Sequence, residues 1–426
     1  MKTVHFEKGA DFALQWDSSD PLKRYRNEFY FPKEAQGKNV LYFVGNSLGL
    51  QPKKTRSYVE EVLSDWEKLA VDGHQQGKHP WYPYHEFLTE STARLVGAKP
   101  IEVVVMNTLT VNLHLMLTSF YRPTPKRFQI LVEAGAFPSD QYAVASHAKL
   151  HGLDPKQTVL EWKSREGEEL LRFEDLESLV HKNKDSLALI LLGQVNYRSG
   201  QAFDLKKISK LAEQYGIAFG VDLAHGAGNL KLTLHEDGVD FAVWCSYKYL
   251  NGGPGALGGC FVHERHARSF HLLRLEGWWG HDKVKRFLME KEFVPMAGAE
   301  GWQLSNPPIL PMATLRASME LFDEVGMTAL RKKSELLTGY FEFLLNQMGT
   351  HSFKVITPAQ SEERGCALSL SFGKEGKGLM EKLNQEGVKC DYREPGVLRF
   401  APVPLYNSFQ DIFELCEILK KHVKSV

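Results

Sequence analysis

The chain has 426 residues, 43% of them hydrophobic and 24% charged, with a formal net charge of zero. That length suits one large domain plus a smaller one, and the lack of net charge excludes a broad electrostatic grip on nucleic acid or an anionic membrane. No apolar run of about 18 residues occurs, which argues against a membrane span. The opening residues, MKTVHFEKGADFALQWD, are broken by charges and lack the apolar core of a secretory signal. Cys245, Cys260, Cys366, Cys390 and Cys416 are scattered, odd in number and never at CxxC spacing. This is the usage of reduced thiols in a cytoplasmic protein. The expected partners are small molecules and other protein surfaces.

In chain order, an irregular N-terminal segment (1–50) ends in a strand over Val40 to Val44. A helix follows Pro52, with Val59, Val62, Leu63, Trp66 and Leu69 on one face. From 128 to 262 the runs FQILV (128–132), SLALILL (186–192), IAFGVD (217–222), DFAVWC (240–245) and GGCFV (258–262) predict strands. Their unbroken apolar character suits a sheet covered on both faces. Between two of them, Leu205, Ile208, Leu211, Ala212 and Tyr215 mark a helix, with Gly216 as its stop. Strand, helix, strand in this order argues a mostly parallel α/β sheet. The expected large domain is 51–310. A smaller α+β domain, 311–426, follows with helices over Thr314 to Phe322 and Ala329 to Gln347, then strands over 366–372, 388–391 and 397–400.

The strongest chemical signal is VDLAH (221–225) followed by SYKYLNGG (246–253), with Lys248 placed 26 residues after Asp222. Alone, an Asp ending a strand is a turn or capping residue, and a lone loop Lys is a solvated charge. Together they point elsewhere. The carboxyl ends of strands are where an open α/β sheet binds ligands. An ionised carboxylate there can hold the protonated ring nitrogen of pyridoxal 5′-phosphate (PLP) and so keep the ring a good electron sink. A Lys after a neighbouring strand can reach the same ring as a Schiff base.

Over nearly its whole length the sequence resembles the kynureninases, within the fold-type-I PLP enzymes. The segments that carry the resemblance are FVGNSLGLQP (43–52), DGHQQGKHPW (72–81), MNTLTVNLH (106–114), AFPSDQYA (136–143), VDLAHGAGN (221–229), CSYKYLNGGPG (245–255), EGWWGH (276–281), LSNPPIL (304–310) and RFAPVPLYNSF (399–409). The resemblance implies a mostly parallel, seven-stranded type of sheet in the large domain. It also implies hydrolytic Cβ–Cγ cleavage of kynurenine or 3-hydroxykynurenine within tryptophan catabolism, with a link to NAD synthesis. Lys248 would bind PLP, Asp222 would pair with the ring nitrogen and His225 would lie beside it. Phe137 would stack on the ring, with Pro138, Ser139 and Asp140 in the same cofactor-binding turn. Leu109 and Thr110 would hold the phosphate at a helix start. Tyr247 would donate to the phosphate and move protons, helped by a lowered phenol pKa. Trp278 and Asn306 would arrive from the partner subunit of a homodimer. Arg399 would hold the substrate α-carboxylate with both arms of its fork.

The resemblance further implies that the aromatic end of the substrate meets Ser47, His74, Ser305 and Asn306, which favours the 3-hydroxylated substrate. For His74 the alternative is simple packing beside Trp81. One position departs from the family. Gly193-Gln194-Val195 stands where many kynureninases have a small hydroxyl residue before a Gly-Val turn, so a side-chain contact there is lost or replaced. A cysteine desulfurase is the competing enzyme, through Arg364-Gly365-Cys366, but Cys366 runs straight into the alternating ALSLSF and so belongs to a strand. A PLP-fold protein without chemistry would be expected to lack Lys248, Asp222 or Arg399. His263-Glu264-Arg265-His266 has a metal-like spacing with nothing to support it, and no metal is expected.

Overall fold

A computed structural model describes residues 5–349 and 351–423. Its centre is a seven-stranded sheet. The strands are β1 (Val103–Met106), β2 (Gln129–Glu133), β3 (Val159–Trp162), β4 (Leu187–Gly193), β5 (Ala218–Asp222), β6 (Phe241–Cys245) and β7 (Gly258–Val262). Their order is β1-β7-β6-β5-β4-β2-β3. All pairs are parallel except those of β7, which runs antiparallel to both neighbours.

The apolar runs form strands because both faces are covered. Leu131, Ile190, Leu192, Phe219, Val221 and Ala242 enter one apolar core. The alternate residues Ile130, Val132, Leu189, Leu191, Phe241 and Val243 enter another on the opposite face. This two-residue alternation between two cores is the signature of a doubly covered sheet. The five expected strands are all present. The two edge strands, β1 and β3, are not among them. Each has four residues, too few to establish a period, and in β3 only Trp162 is buried.

The helix Leu205–Gln214 buries Leu205, Ile208, Leu211 and Ala212. The Asp204 carboxylate accepts from the Lys207 N–H at its start, and Gly216 leaves its end at φ 59°. The helix Thr55–Leu69 also forms, but its expected apolar face does not face the core. Only Val62 is buried, while Leu63 and Trp66 are exposed, Trp66 by 62%. The reason is the buried Arg316, whose guanidinium lies 4.4 Å from the Tyr58 ring and 3.1 Å from Glu61. Satisfying that cation turns Tyr58 and Glu61 inward instead.

In the C-terminal third, the helices Ile309–Val325 and Met327–Asn346 meet at Gly326. A four-stranded antiparallel sheet orders Lys354–Val355, Leu368–Ser371, Val397–Phe400 and Asp391–Arg393. The expected strand at 388–391 is split. Val388–Lys389 pairs in parallel with Leu41–Tyr42, and Asp391 starts the next strand of the four-stranded sheet. The N-terminal segment is thereby stitched to this region, and Ala13, Leu41 and Phe43 share a core with Leu337, Phe341, Leu368, Phe400 and Leu415. Met312, Leu315 and Met319 of Ile309–Val325 belong instead to the core that covers the large sheet. All five cysteines are unpaired. No helix among the described residues is long and apolar enough to cross a membrane.

Candidate active site

Three neighbouring strands end side by side at one cavity: β2 at Glu133, β4 at Gly193 and β5 at Asp222. Gly193 stands in register with Asp222. The turns after β5 and β6 bring in His225, Tyr247 and Lys248. Two helix starts, at Leu109 and Pro138, supply Leu109, Thr110, Ser139 and Asp140, and Phe137 and Tyr197 complete the wall. This is the carboxyl-end crevice where open α/β sheets take their ligands.

The acidic side of the cavity is buried. Asp222 is 7% exposed and its Oδ1 accepts from the Ala224 N–H at 2.6 Å. Asp140 lies beside it with Oδ1 unpartnered. Burial, then the Asp222 charge, push the Asp140 carboxyl well above the usual range. The hydrogen bond the two acids share pushes Asp140 further in the same direction. Burial also raises Asp222, opposed by that hydrogen bond, by Lys248 and by the Ala224 N–H. Lys248 Nζ stands 3.3 Å from His225 Nε2 and 5.9 Å from the centre of the Phe137 ring. Burial, then the charges of Lys248 and Arg399, hold His225 well below the usual histidine range. Its ring is neutral, so Nε2 can accept from the lysine.

At the other end, Leu109–Phe120 and Pro138–Leu150 both begin without a side-chain cap. Pro138 has no N–H and the Asp140 N–H donates to the Phe137 carbonyl, so the N–H groups open to an anion are those of Leu109, Thr110 and Ser139. The Thr110 and Ser139 hydroxyls meet there at 2.8 Å. Pro138 itself is exposed and lines nothing, and its contribution is to preset the first turn. A buried acid pair with Asp140 Oδ1 still unpartnered, one lysine and two helix starts with open N–H groups fit PLP: the acids its ring nitrogen, the lysine its aldehyde, the helix starts its phosphate.

One expectation about this group is corrected. The Tyr247 phenol is not lowered but pushed up, by burial and by the adjacent Cys245. A phenol shifted in that direction is a hydrogen-bond donor rather than an easily ionised acid.

Other expected residues lie outside the cavity of a single chain. His74 is half-buried, with Nδ1 2.9 Å from the Val71 carbonyl and its ring 5.2 Å from Trp81 and 4.9 Å from Tyr82. Within one chain the packing alternative describes it. Tyr82 continues to Trp279 and Phe287, and Phe287 to Trp278 at 5.4 Å. Trp278 is 44% exposed and donates to the Arg286 carbonyl at 3.0 Å. Ser305 and Asn306 are exposed, and Ser47 sits half-buried in the turn after Val44. His74 and Trp278 thus share one aromatic surface group, apart from Lys248.

Arg399 is buried, but its fork is engaged. Nη2 pairs with Asp391 and Nη1 donates to the Tyr197 carbonyl, which leaves Nε–H without a partner. Burial lowers the guanidinium to about 10. A free bidentate fork is therefore not what the chain presents, because a guanidinium this deep must be paired within the fold.

Sequence reasoning missed Glu133, Val195, Tyr197 and Ala224, and it set Gly193 aside although Gly193 lines the cavity. Glu133 carries the same signal as Asp222, an acid ending an apolar strand. Tyr197 sits in an irregular loop and carries none. The residues His263 to His266 do not converge on one point: His263 stacks on His235 at 4.9 Å, Glu264 pairs with Lys99, and Arg265 and His266 share Asp240. Glu102, His235 and His263 do bring ligand atoms within 4.8 Å of one another, but Glu102 already bonds His235 and the Glu264 N–H. Cys366 is 1% exposed, and burial pushes its thiol up to about 12, the opposite of a mobile nucleophile.

Comparison with known proteins agrees with this geometry. In fold, the chain is similar to a cysteine desulfurase from Thermococcus onnurineus NA1, at a TM-score of 0.72 and 18% identity over 99% of each chain. It is also similar to a C-DES mutant with glycine covalently linked to its PLP cofactor, at a TM-score of 0.75 and 15% identity over 93% of this chain and 98% of that one. At such identities the likeness is one of fold alone. Residues 330–419 match the kynureninase C-terminal domain. Kynureninase of Myxococcus xanthus (strain DK1622) is 58% identical over 419 residues, 98% of each chain. At that identity over nearly the whole of both chains, the chain belongs to the kynureninase family.

Proposed function

We propose that this protein is a PLP-dependent hydrolase that cleaves the Cβ–Cγ bond of L-kynurenine and 3-hydroxy-L-kynurenine. Water is consumed, and L-alanine leaves with anthranilate or 3-hydroxyanthranilate. The observation that carries this reading is the convergence of Lys248, the Asp140–Asp222 pair and two uncapped helix starts on one cavity, in a chain of this family. When bound, PLP withdraws electrons from the substrate carbon bonds beside the amine.

The residues divide the remaining work. Asp222 would hold the ring-nitrogen proton, and Asp140 would fix Asp222 by the hydrogen bond the two acids share. Phe137 covers the ring face. Leu109, Thr110 and Ser139 hold the phosphate through N–H and hydroxyl groups, with the Tyr247 O–H as a further donor. Lys248 would hold the cofactor, and its amine would take the proton from the substrate Cα. Neutral His225 keeps that amine in place by accepting from it. Arg399 receives the substrate α-carboxylate, which must take over part of the fork now held by Asp391 and the Tyr197 carbonyl.

A homodimer completes the site, with Trp278 and Asn306 reaching the cavity from the partner. Support comes from the apolar residues a single chain leaves exposed, among them Trp66, Trp278, Leu288 and Met289. Mixing inactive Lys248→Ala protein with an inactive Asn306 variant should restore part of the activity, because some mixed dimers carry one intact site. No recovery after demonstrated subunit exchange counts against a shared site.

Ser47, His74, Ser305 and Asn306 meet the aromatic end of the substrate. A buried 3-hydroxyl needs a partner, and leaving it unpaired costs about 1–3 kcal/mol. His74 and Asn306 supply donor and acceptor, so 3-hydroxykynurenine is preferred and both substrates are accepted. The role is tryptophan catabolism in the cytoplasm, with supply to NAD synthesis. The test is kcat/KM for both substrates in wild type and in His74→Trp combined with Asn306→Thr. The double change should cut the preference by about tenfold, the equivalent of about 1.4 kcal/mol. Turnover of neither substrate overturns the function; an unchanged ratio overturns only the assignment of these residues.

A further inference from the structure

Glu133 closes β2 and turns its carboxylate into the cavity that holds Asp222 and Lys248. It is 5% exposed, and both its oxygens lie 3.2 Å from the single N–H of Gly193. Gly193 has no side chain, and the space one would need belongs to this carboxylate: a Cβ there would stand 2.9 Å from Glu133 Oε1. Because Gly193 is in register with Asp222, Glu133 and Asp222 face the cavity across one intervening strand. The other groups lining it are Asp140, His225, Tyr197, Tyr247 and Lys248. Lys248 is the one cation among them, set against three carboxyl groups.

We propose that Glu133 is a positioning residue of the cofactor site, whose charge state sets how firmly the protonated nitrogens beside Asp222 and Lys248 keep their protons. Burial pushes its carboxyl up to about 7, so its ionisation falls within the working range of an enzyme. Ionised, it adds a second negative charge behind Asp222 and favours cations in the cavity; protonated, it adds none. The inference rests on PLP being held at Lys248.

The test is the absorbance of PLP-loaded protein titrated with pH. Removing a nearby negative charge lowers the pKa of a cation, so Glu133→Gln should lower the midpoint of the absorbance change by ~0.5 unit or more. The kcat–pH profile should lose its inflection near 7 while KM at the optimum is kept. Apoprotein melting gives a readout free of the cofactor. A carboxyl whose folded pKa is raised contributes stability below its unfolded value of about 4.3, and that stability is lost as pH rises through the folded value. The wild-type Tm should therefore fall more steeply than that of Glu133→Gln between about pH 5 and 7. Gly193→Ala, which displaces the same carboxylate, should shift the absorbance midpoint in the same direction. An unmoved midpoint and an unmoved Tm profile in folded, PLP-loaded Glu133→Gln overturn the role. If that variant does not fold, an unmoved midpoint in Gly193→Ala does so. Wild-type protein that binds no PLP overturns the cofactor reading itself, a different outcome.

Discussion

Lys248→Ala is expected to lower turnover by at least ~10⁴-fold, the upper end of what one acid–base group alone contributes. The reason is that Lys248 has two tasks here. In the proposed function it would hold the cofactor, and its amine would be the base beside the substrate Cα. Among the described residues no second lysine lines the cavity, and His225 is held neutral in contact with Lys248 itself. The absorbance of bound PLP should change with the loss of activity. The phosphate site proposed at Leu109, Thr110 and Ser139 is untouched by the change, so PLP should still associate, more weakly. Near-normal activity in Lys248→Ala would remove the core of the account.

Asp222→Ala should cost about 10²–10⁴-fold in turnover. Breaking a buried charge pair costs about 3–5 kcal/mol, and each 1.36 kcal/mol is about a tenfold change in rate. The ring nitrogen loses its partner, and Asp140, already short of a partner at Oδ1, loses the hydrogen bond the two acids share. Asp222→Asn keeps the size and removes the charge, so it should lose nearly as much. If Asp222→Asn is as active as wild type, the carboxylate serves only to position the turn through the Ala224 N–H.

Much of this architecture is legible in the residues themselves. β4, β5 and β6 are apolar on both faces, so their runs declare buried parallel strands, and Asp222 and Lys248 stand out because they end or follow such runs. The edge strands β1 and β3 are too short to show a period. The face of Thr55–Leu69 misleads because the side chain it answers to, Arg316, is distant in sequence. Tyr197 reaches the cavity from a loop that no local pattern foretells. Arg399 is visible as a cation, but its pairing with Asp391 and the Tyr197 carbonyl depends on a strand pair and a loop that meet only in three dimensions. Glu133 was within reach of the logic that found Asp222. What hid it is that a strand-ending acid gains its meaning from the neighbours beside it, here Gly193 and Asp222.

The most direct test of the central claim is borohydride reduction of the PLP-loaded protein followed by peptide mapping. Reduction fixes the cofactor to the lysine that carries it. The account predicts one modified peptide, containing Ser246, Tyr247 and Lys248, with the label on Lys248 and with loss of kynurenine hydrolysis in proportion to labelling. A label on another lysine, or full labelling at Lys248 with activity retained, would contradict it.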